Sequence, residues 1–107
     1  MGSAYAAAQS PLKFKELAKQ EIDNRNWPSA YDWAKQAYLL DSTNFDSQVL
    51  LALCANEIKE FEESMRLFEK ITEKDLGKIQ PDALYYLAKA KKELGYYEEA
   101  EVLYRKF

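Results

Sequence analysis

Three stretches of this chain, beginning at Pro11, Phe45 and Pro81, carry the same kinds of residue in the same slots. Leu17-Ala18, Leu51-Ala52 and Leu87-Ala88 occupy the seventh and eighth positions of each stretch. Ten residues beyond each leucine stands an aromatic side chain (Trp27, Phe61, Tyr97), and three further a small one (Ala30, Ser64, Ala100). Successive units are 34 and 36 residues long. A recurrence of this period restricts the fold more than any single element does, because one such unit cannot bury its own apolar face and must stack on the next.

The spacing has a physical reading. Two helices joined by a short turn approach closely only where small side chains meet, and the alanine at the eighth slot and the Ala or Ser at the twentieth supply that contact. The aromatic at the seventeenth slot starts the second helix and covers the turn. Phe68 and Tyr104 at the twenty-fourth slot, and Ala37, Ile71 and Phe107 at the twenty-seventh, continue a buried stripe at helical spacing. Punctuation agrees: Pro28 and Pro81 suit first turns of helices, Gly95 a helix end, and Asp41 to Asn44 a capping-rich connection. Ala18, Ala30, Ala52, Ala88 and Ala100 are therefore expected at helix crossings.

Composition fits an all-α chain: 48% of the residues are apolar and 31% charged, with only three glycines and three prolines. The net charge of −3 gives no general attraction to a phosphate backbone, so nucleic acid is not an expected partner. No apolar run reaches the length of a membrane span, and membrane insertion is not expected. Cys54 is the single cysteine and has no partner within the chain, which favours a reducing, cytoplasmic setting. The opening residues lack the basic start and apolar run of a signal peptide, and Met1-Gly2-Ser3 reads as a vector-derived tail.

Catalytic chemistry finds little to work with. There is no histidine, so no imidazole base or ligand, and one cysteine cannot build a zinc site. Gly2, Gly77 and Gly95 form no phosphate-binding loop. Glu62-Glu63 and Glu98-Glu99 fall at the same two slots, at the start of the second helix, where negative charge complements the helix dipole. Lys89, Lys91 and Lys92, with Glu93 adjacent, read as a solvated face. Trp27 occupies the structural aromatic slot and is expected in the core, and Trp33 is expected to fill the space beside the small Ala34. The expectation is a non-enzyme without cofactor or metal.

Taken together, the slots quoted above resemble the tetratricopeptide repeat over nearly the whole of Pro11 to Phe107. The resemblance implies an α-solenoid of antiparallel helix pairs, with 11–44 and 45–80 as two repeats and 81–107 as a third, shortened one, residues 1–10 being a tag or linker or else a short N-terminal helical extension. Departures are Ser42 and Leu76 where the family has proline, Gln48 where it has an aromatic or leucine, and alanine at the eighth slot in place of glycine. It also implies that the apolar end formed by Leu103, Tyr104 and Phe107 lacks a closing helix, so that the sequence is either a piece of a longer array or closes itself by association at this end.

Function in this family resides mostly in a concave groove lined by first-helix residues. Carried onto this chain, the groove takes Val49, Leu50 and Leu53 from the second repeat and Tyr85 and Tyr86 from the third. Leu12 and Ile22 join from the first, with Lys15, Lys19, Lys89 and Lys92 at the rim. One three-repeat subclass holds the acidic C-terminal tails of the Hsp70 and Hsp90 chaperones with a clamp of five basic and amide residues. Only Lys15 matches it; Lys19, Leu50, Asp82 and Tyr86 do not, and Asp82 repels a carboxylate, so a chaperone-tail adaptor is not expected. The implied function is a protein or peptide interaction module within a larger scaffold, the alternative being a homo-oligomeric assembly module that associates through its repeat ends.

Overall fold

The computed structural model describes residues 10–75 and 82–106. Among them are six helices and no strand: α1 (Pro11–Asp23), α2 (Trp27–Leu40), α3 (Phe45–Glu57), α4 (Phe61–Asp75), α5 (Asp82–Glu93) and α6 (Tyr97–Lys106). Phe107, Leu76, Pro81, Gly77 and the Met1-Gly2-Ser3 tail lie outside the described residues.

Local chemistry sets the helix starts. The Ser10 hydroxyl accepts from the Lys13 N–H at 3.2 Å and Pro11 opens α1, while the Asn44 side chain accepts from the Ser47 N–H at 2.9 Å to begin α3. Glu62 and Glu63 lie in the first turn of α4, and Glu98 and Glu99 in the first turn of α6.

The ends of α1, α3 and α5 repeat a single design. Arg25 (φ 57°), Lys59 (φ 69°) and Gly95 (φ 93°) all adopt left-handed backbone, each at the fifteenth slot of its unit. The next residue's N–H reaches back to a carbonyl five residues earlier: Asn26 to Glu21, Glu60 to Ala55 and Tyr96 to Lys91, each at 2.8 Å. The left-handed residue itself donates to Ile22, Asn56 and Lys92 respectively. This pair of bonds satisfies carbonyls that a helix terminus otherwise leaves open. Only the third instance uses glycine; Arg25 and Lys59 adopt the left-handed region at a steric cost of about 1 to 2 kcal/mol each.

Three helical hairpins follow, α1–α2, α3–α4 and α5–α6, and they pack in sequence order through α2 on α3 and α4 on α5. The first helices of neighbouring hairpins touch only lightly. The result is elongated, 52 × 26 × 20 Å, with a radius of gyration of 14.6 Å; a compact globule of this length has about 13 Å. All five alanines expected at crossings are buried, as is Ser64. The Ser64 hydroxyl donates to the Ala52 carbonyl at 3.0 Å, which fixes the eighth and twentieth slots of the middle hairpin against each other. The large buried side chains, Leu51, Phe68 and Ile71, pack around these contacts.

One expectation is corrected. Lys91 does not lie on a solvated face: it is 9% exposed, and its ammonium bridges Glu69 of α4 (3.2 Å) and Glu99 of α6 (2.6 Å). Trp33 stacks on Phe14 of α1 with ring centroids 5.6 Å apart, alongside the buried Ala34.

Candidate functional site

The residues expected to line a groove have unequal surroundings. Leu50 is only 8% exposed and belongs to the core, so it offers almost no surface to a ligand. At the matching place between the second and third hairpins, Phe68 stacks on Tyr86 at 5.7 Å. Between the first and second, the slot of Phe68 holds the much smaller Ala34, and Leu50 occupies the slot of Tyr86. Val49 and Leu53 are half-buried and pack against the core. Lys15 is tied down, donating to the Asn44 side chain at 3.3 Å and standing 3.9 Å from Asp46. Lys19 is exposed, as are Lys92 and Leu12; Lys89 and Ile22 are half-buried.

Tyr85 and Tyr86 come together with a residue the sequence reading assigned elsewhere. Tyr85 meets Tyr86 edge-on (5.3 Å between ring centroids, 79° between planes) and meets Tyr104 of α6 in the same manner (5.9 Å, 64°). With Phe68 beneath Tyr86, four rings run in a row across α4, α5 and α6. Tyr104, expected at an oligomerisation end, is thus continuous with the groove tyrosines, whereas Leu103 packs half-buried against the core. Tyr85 and Tyr104 remain 39% and 37% exposed. No local pattern in the sequence marks this meeting, since Tyr85 and Tyr104 lie on different helices.

The row is anchored from below. The Asn56 side-chain amide of α3 donates both to the Ser64 hydroxyl (3.1 Å) and to the backbone carbonyl of Tyr86 (3.3 Å), which ties the tyrosine's backbone to the preceding hairpin. Burial, then Glu57 and Asp82, push the Tyr86 phenol above its ordinary value. Burial, then Tyr85 and Glu93, do the same at Tyr104.

Elsewhere the titratable groups are structural. Burial, the hydrogen bond to Glu63 and nearby carboxylates raise the Tyr31 phenol; its hydroxyl donates to Glu63 at 2.5 Å, linking α2 to α4. Burial, aided by Glu57, pushes the Cys54 thiol up to about 12, leaving an unreactive neutral group. At Lys91 burial opposes the charge, but the hydrogen bonds to Glu99 and Glu69 outweigh it and the group is raised.

These shifts share one sign. The fold favours the protonated form of each group, so their contribution is complete below the ordinary values of 9.0 for Cys54, 10.0 for the tyrosines and 10.5 for Lys91. It is lost as pH rises through the higher folded values. Thermal melts are expected to show a fall in Tm on the order of 10 °C between about pH 8.5 and about pH 11. A Tm that stays constant over that interval would contradict these environments.

Among the described residues no group of His, Cys, Asp and Glu is placed to hold a metal ion, and no helix is long and apolar enough to cross a membrane. No protein-family model matches the chain, and no curated protein matches it.

Proposed function

We propose that this chain is a noncatalytic interaction module of the tetratricopeptide type, an α-solenoid whose first helices line a groove that binds a peptide or helix of a partner protein. The observation that carries the reading is the half-exposed row of Tyr85, Tyr86 and Tyr104, held on a rigid base by Phe68 and the Asn56 hydrogen bonds. Tyrosine gives a large contact area and a hydrogen-bonding tip at modest entropic cost, which suits it to recognition surfaces. The threefold recurrence of the turn at Arg25, Lys59 and Gly95 supports the repeat reading independently of side chains.

The test is affinity selection of peptides on the folded chain, followed by titration of variants. Tyr85→Ala and Tyr86→Ala are expected to weaken a selected peptide at least about 30-fold, the effect of losing an anchor of about 2 kcal/mol. Lys89→Ala is expected to change affinity no more than about threefold, acting chiefly on association rate and salt dependence. Leu50→Asp is unsuitable as a probe, because it places a carboxylate in the core. Selected peptides that bind both tyrosine variants unchanged would place recognition elsewhere.

A second reading, assembly through the last hairpin, draws on the exposure of Tyr97 (67%), Val102 (51%) and Tyr104 (37%) along α6. Sedimentation of the same unliganded samples separates the two, since assembly requires concentration-dependent mass that Tyr97→Glu abolishes.

A further inference from the structure

We propose that the outer face of α6 is a seat for an amphipathic helix of a partner protein, one that carries small residues on either side of a bulky residue and a leucine, followed by a carboxylate. The proposal goes beyond the groove reading and concerns the stacking face of the last hairpin, which shares only Tyr104 with the tyrosine row.

An open cleft of about 280 Å³ on the last hairpin is lined by Lys92, Tyr97, Ala100, Glu101 and Tyr104. These occupy the twelfth, seventeenth, twentieth, twenty-first and twenty-fourth slots of the unit, and in the middle hairpin the same slots hold Asn56, Phe61, Ser64, Met65 and Phe68. That set is occupied. Asn56 donates to the Tyr86 backbone carbonyl (3.3 Å) and Phe68 stacks on the Tyr86 ring (5.7 Å), where α4 receives α5. The cleft on α6 is therefore the counterpart of a seat that the chain fills internally one hairpin earlier. Among the described residues no further helix packs on α6, and burial reflects this: Phe61 is half-buried and Phe68 1% exposed, whereas Tyr97 is 67% and Tyr104 37% exposed. Like Asn56, Lys92 brings N–H donors to the twelfth slot, suited to a backbone carbonyl.

The helices that fill such seats define what the occupant carries. α3 and α5 have a small residue at the third slot (Ser47, Ala83), a bulky one at the sixth (Leu50, Tyr86), leucine at the seventh (Leu51, Leu87) and a small one again at the tenth (Cys54, Ala90). All are buried except Tyr86, which is half-buried. In α1 the third, sixth and tenth slots hold Lys13, Glu16 and Gln20, all exposed. Pressing these into an apolar seam leaves charges and an amide without partners, so α1 of a second copy, stacked head to tail, is not the occupant. α3 and α5 of a second copy are already seated within their own chain.

Charge across the junctions completes the pattern. The twenty-fifth slot reaches the next hairpin each time: Lys35 pairs with Glu63 at 2.5 Å, and Glu69 pairs at 3.2 Å with Lys91, which stands at the eleventh slot of its unit on α5. In α6 this slot is Arg105, exposed and paired with Glu101 one turn earlier on its own helix. Within the cleft Lys92 and Glu101 supply one charge of each sign, and Lys106 lines a separate cleft with Thr72, Glu73, Leu84 and Leu103. A carboxylate at the eleventh slot of an incoming helix, just after its second small residue, meets Arg105 and reproduces the contact of Glu69 with Lys91 with the signs exchanged.

The experiment is fluorescence anisotropy of stapled helical peptides on the full chain, with sedimentation of the chain alone. One peptide copies α5 (Asp82–Glu93) with Lys91→Glu, a second copies α5 unchanged, and a third copies α1 (Pro11–Asp23). The protein is used as wild type, as Tyr97→Glu and as Arg105→Glu, both at exposed positions, and circular dichroism confirms that each is folded. Expected is a monomer that binds the Lys91→Glu peptide about fivefold more tightly than the unchanged copy, the scale of one ion pair at a partly exposed junction, and that does not bind the α1 copy. Arg105→Glu reverses the order of the two α5 copies, and Tyr97→Glu weakens both at least about tenfold. Equal binding of the two copies, an order that Arg105→Glu leaves unchanged, or no binding by either overturns the proposal; preference for the unchanged copy on every protein identifies a peptide that displaces the chain's own α5 beside Glu69. Binding of the α1 copy as tight as the others, or concentration-dependent mass that Tyr97→Glu abolishes, overturns it in favour of a second copy in the seat. Tyr85 and Tyr86, on which the groove reading is tested, are intact in all three proteins, so either reading can fail alone.

Discussion

Phe68→Ala is expected to lower the stability of this chain by about 3 to 5 kcal/mol, the cost of deleting a buried aromatic side chain and leaving its cavity. Phe68 is 1% exposed and is the largest of the fully buried side chains. It sits on α4 where the second and third hairpins meet, with its ring stacked 5.7 Å from that of Tyr86. Its removal therefore creates a hole at a junction between hairpins. Its neighbours in the core, Leu67, Ile71 and Leu87, are already buried and packed, so they relax into the space only in part. A domain of this size has about 5 to 15 kcal/mol in total, so the loss approaches the whole margin. Urea denaturation should show a large fall in midpoint, with Phe68→Leu, which keeps much of the volume, losing clearly less. A drop below about 1 kcal/mol for the alanine variant would mean that the junction is not packed as described.

How much of this was legible in the sequence depends on the range of each interaction. The crossings were legible, because close approach of two helices demands a small residue at a fixed slot, and Ala18, Ala52, Ala88, Ala30, Ser64 and Ala100 leave a periodic trace. The turn geometry was legible only at Gly95. Arg25 and Lys59 hold the same left-handed backbone, but nothing in an arginine or lysine announces it; the hairpin imposes it. Lys91 was misread because its burial depends on Glu69 and Glu99, supplied by two other helices, and a basic run looks solvated until those partners are placed. Leu50 was read as an anchor from its slot alone. Whether that slot is open depends on the packing between hairpins, and here Leu50 is buried in the core. The pairing of Tyr85 with Tyr104 had no sequence signal for the same reason: it is a contact between helices, not a spacing along one.

Ala52→Leu tests the crossing in the middle hairpin from the opposite direction, by adding volume where Phe68→Ala removes it. Ala52 is fully buried, and its carbonyl accepts the Ser64 hydroxyl from α4 at 3.0 Å. A leucine here projects three further carbon atoms into the gap between α3 and α4, and the helices must separate or the side chain must leave its preferred rotamer. The cost is about 1 to 3 kcal/mol from overpacking, and about 1 kcal/mol more if the separation breaks the Ser64 hydrogen bond. For a chain of this length that corresponds to a fall in Tm on the order of 5 to 20 °C. Leucine is nearly as good a helix former as alanine, so the loss reports added volume and not helix propensity. Because Ala18 and Ala88 occupy the same slot in their hairpins and are equally buried, Ala18→Leu and Ala88→Leu should show losses of similar size. A melt unchanged by Ala52→Leu, or sensitivity confined to the middle hairpin, would break the equivalence of the three units on which the repeat reading depends.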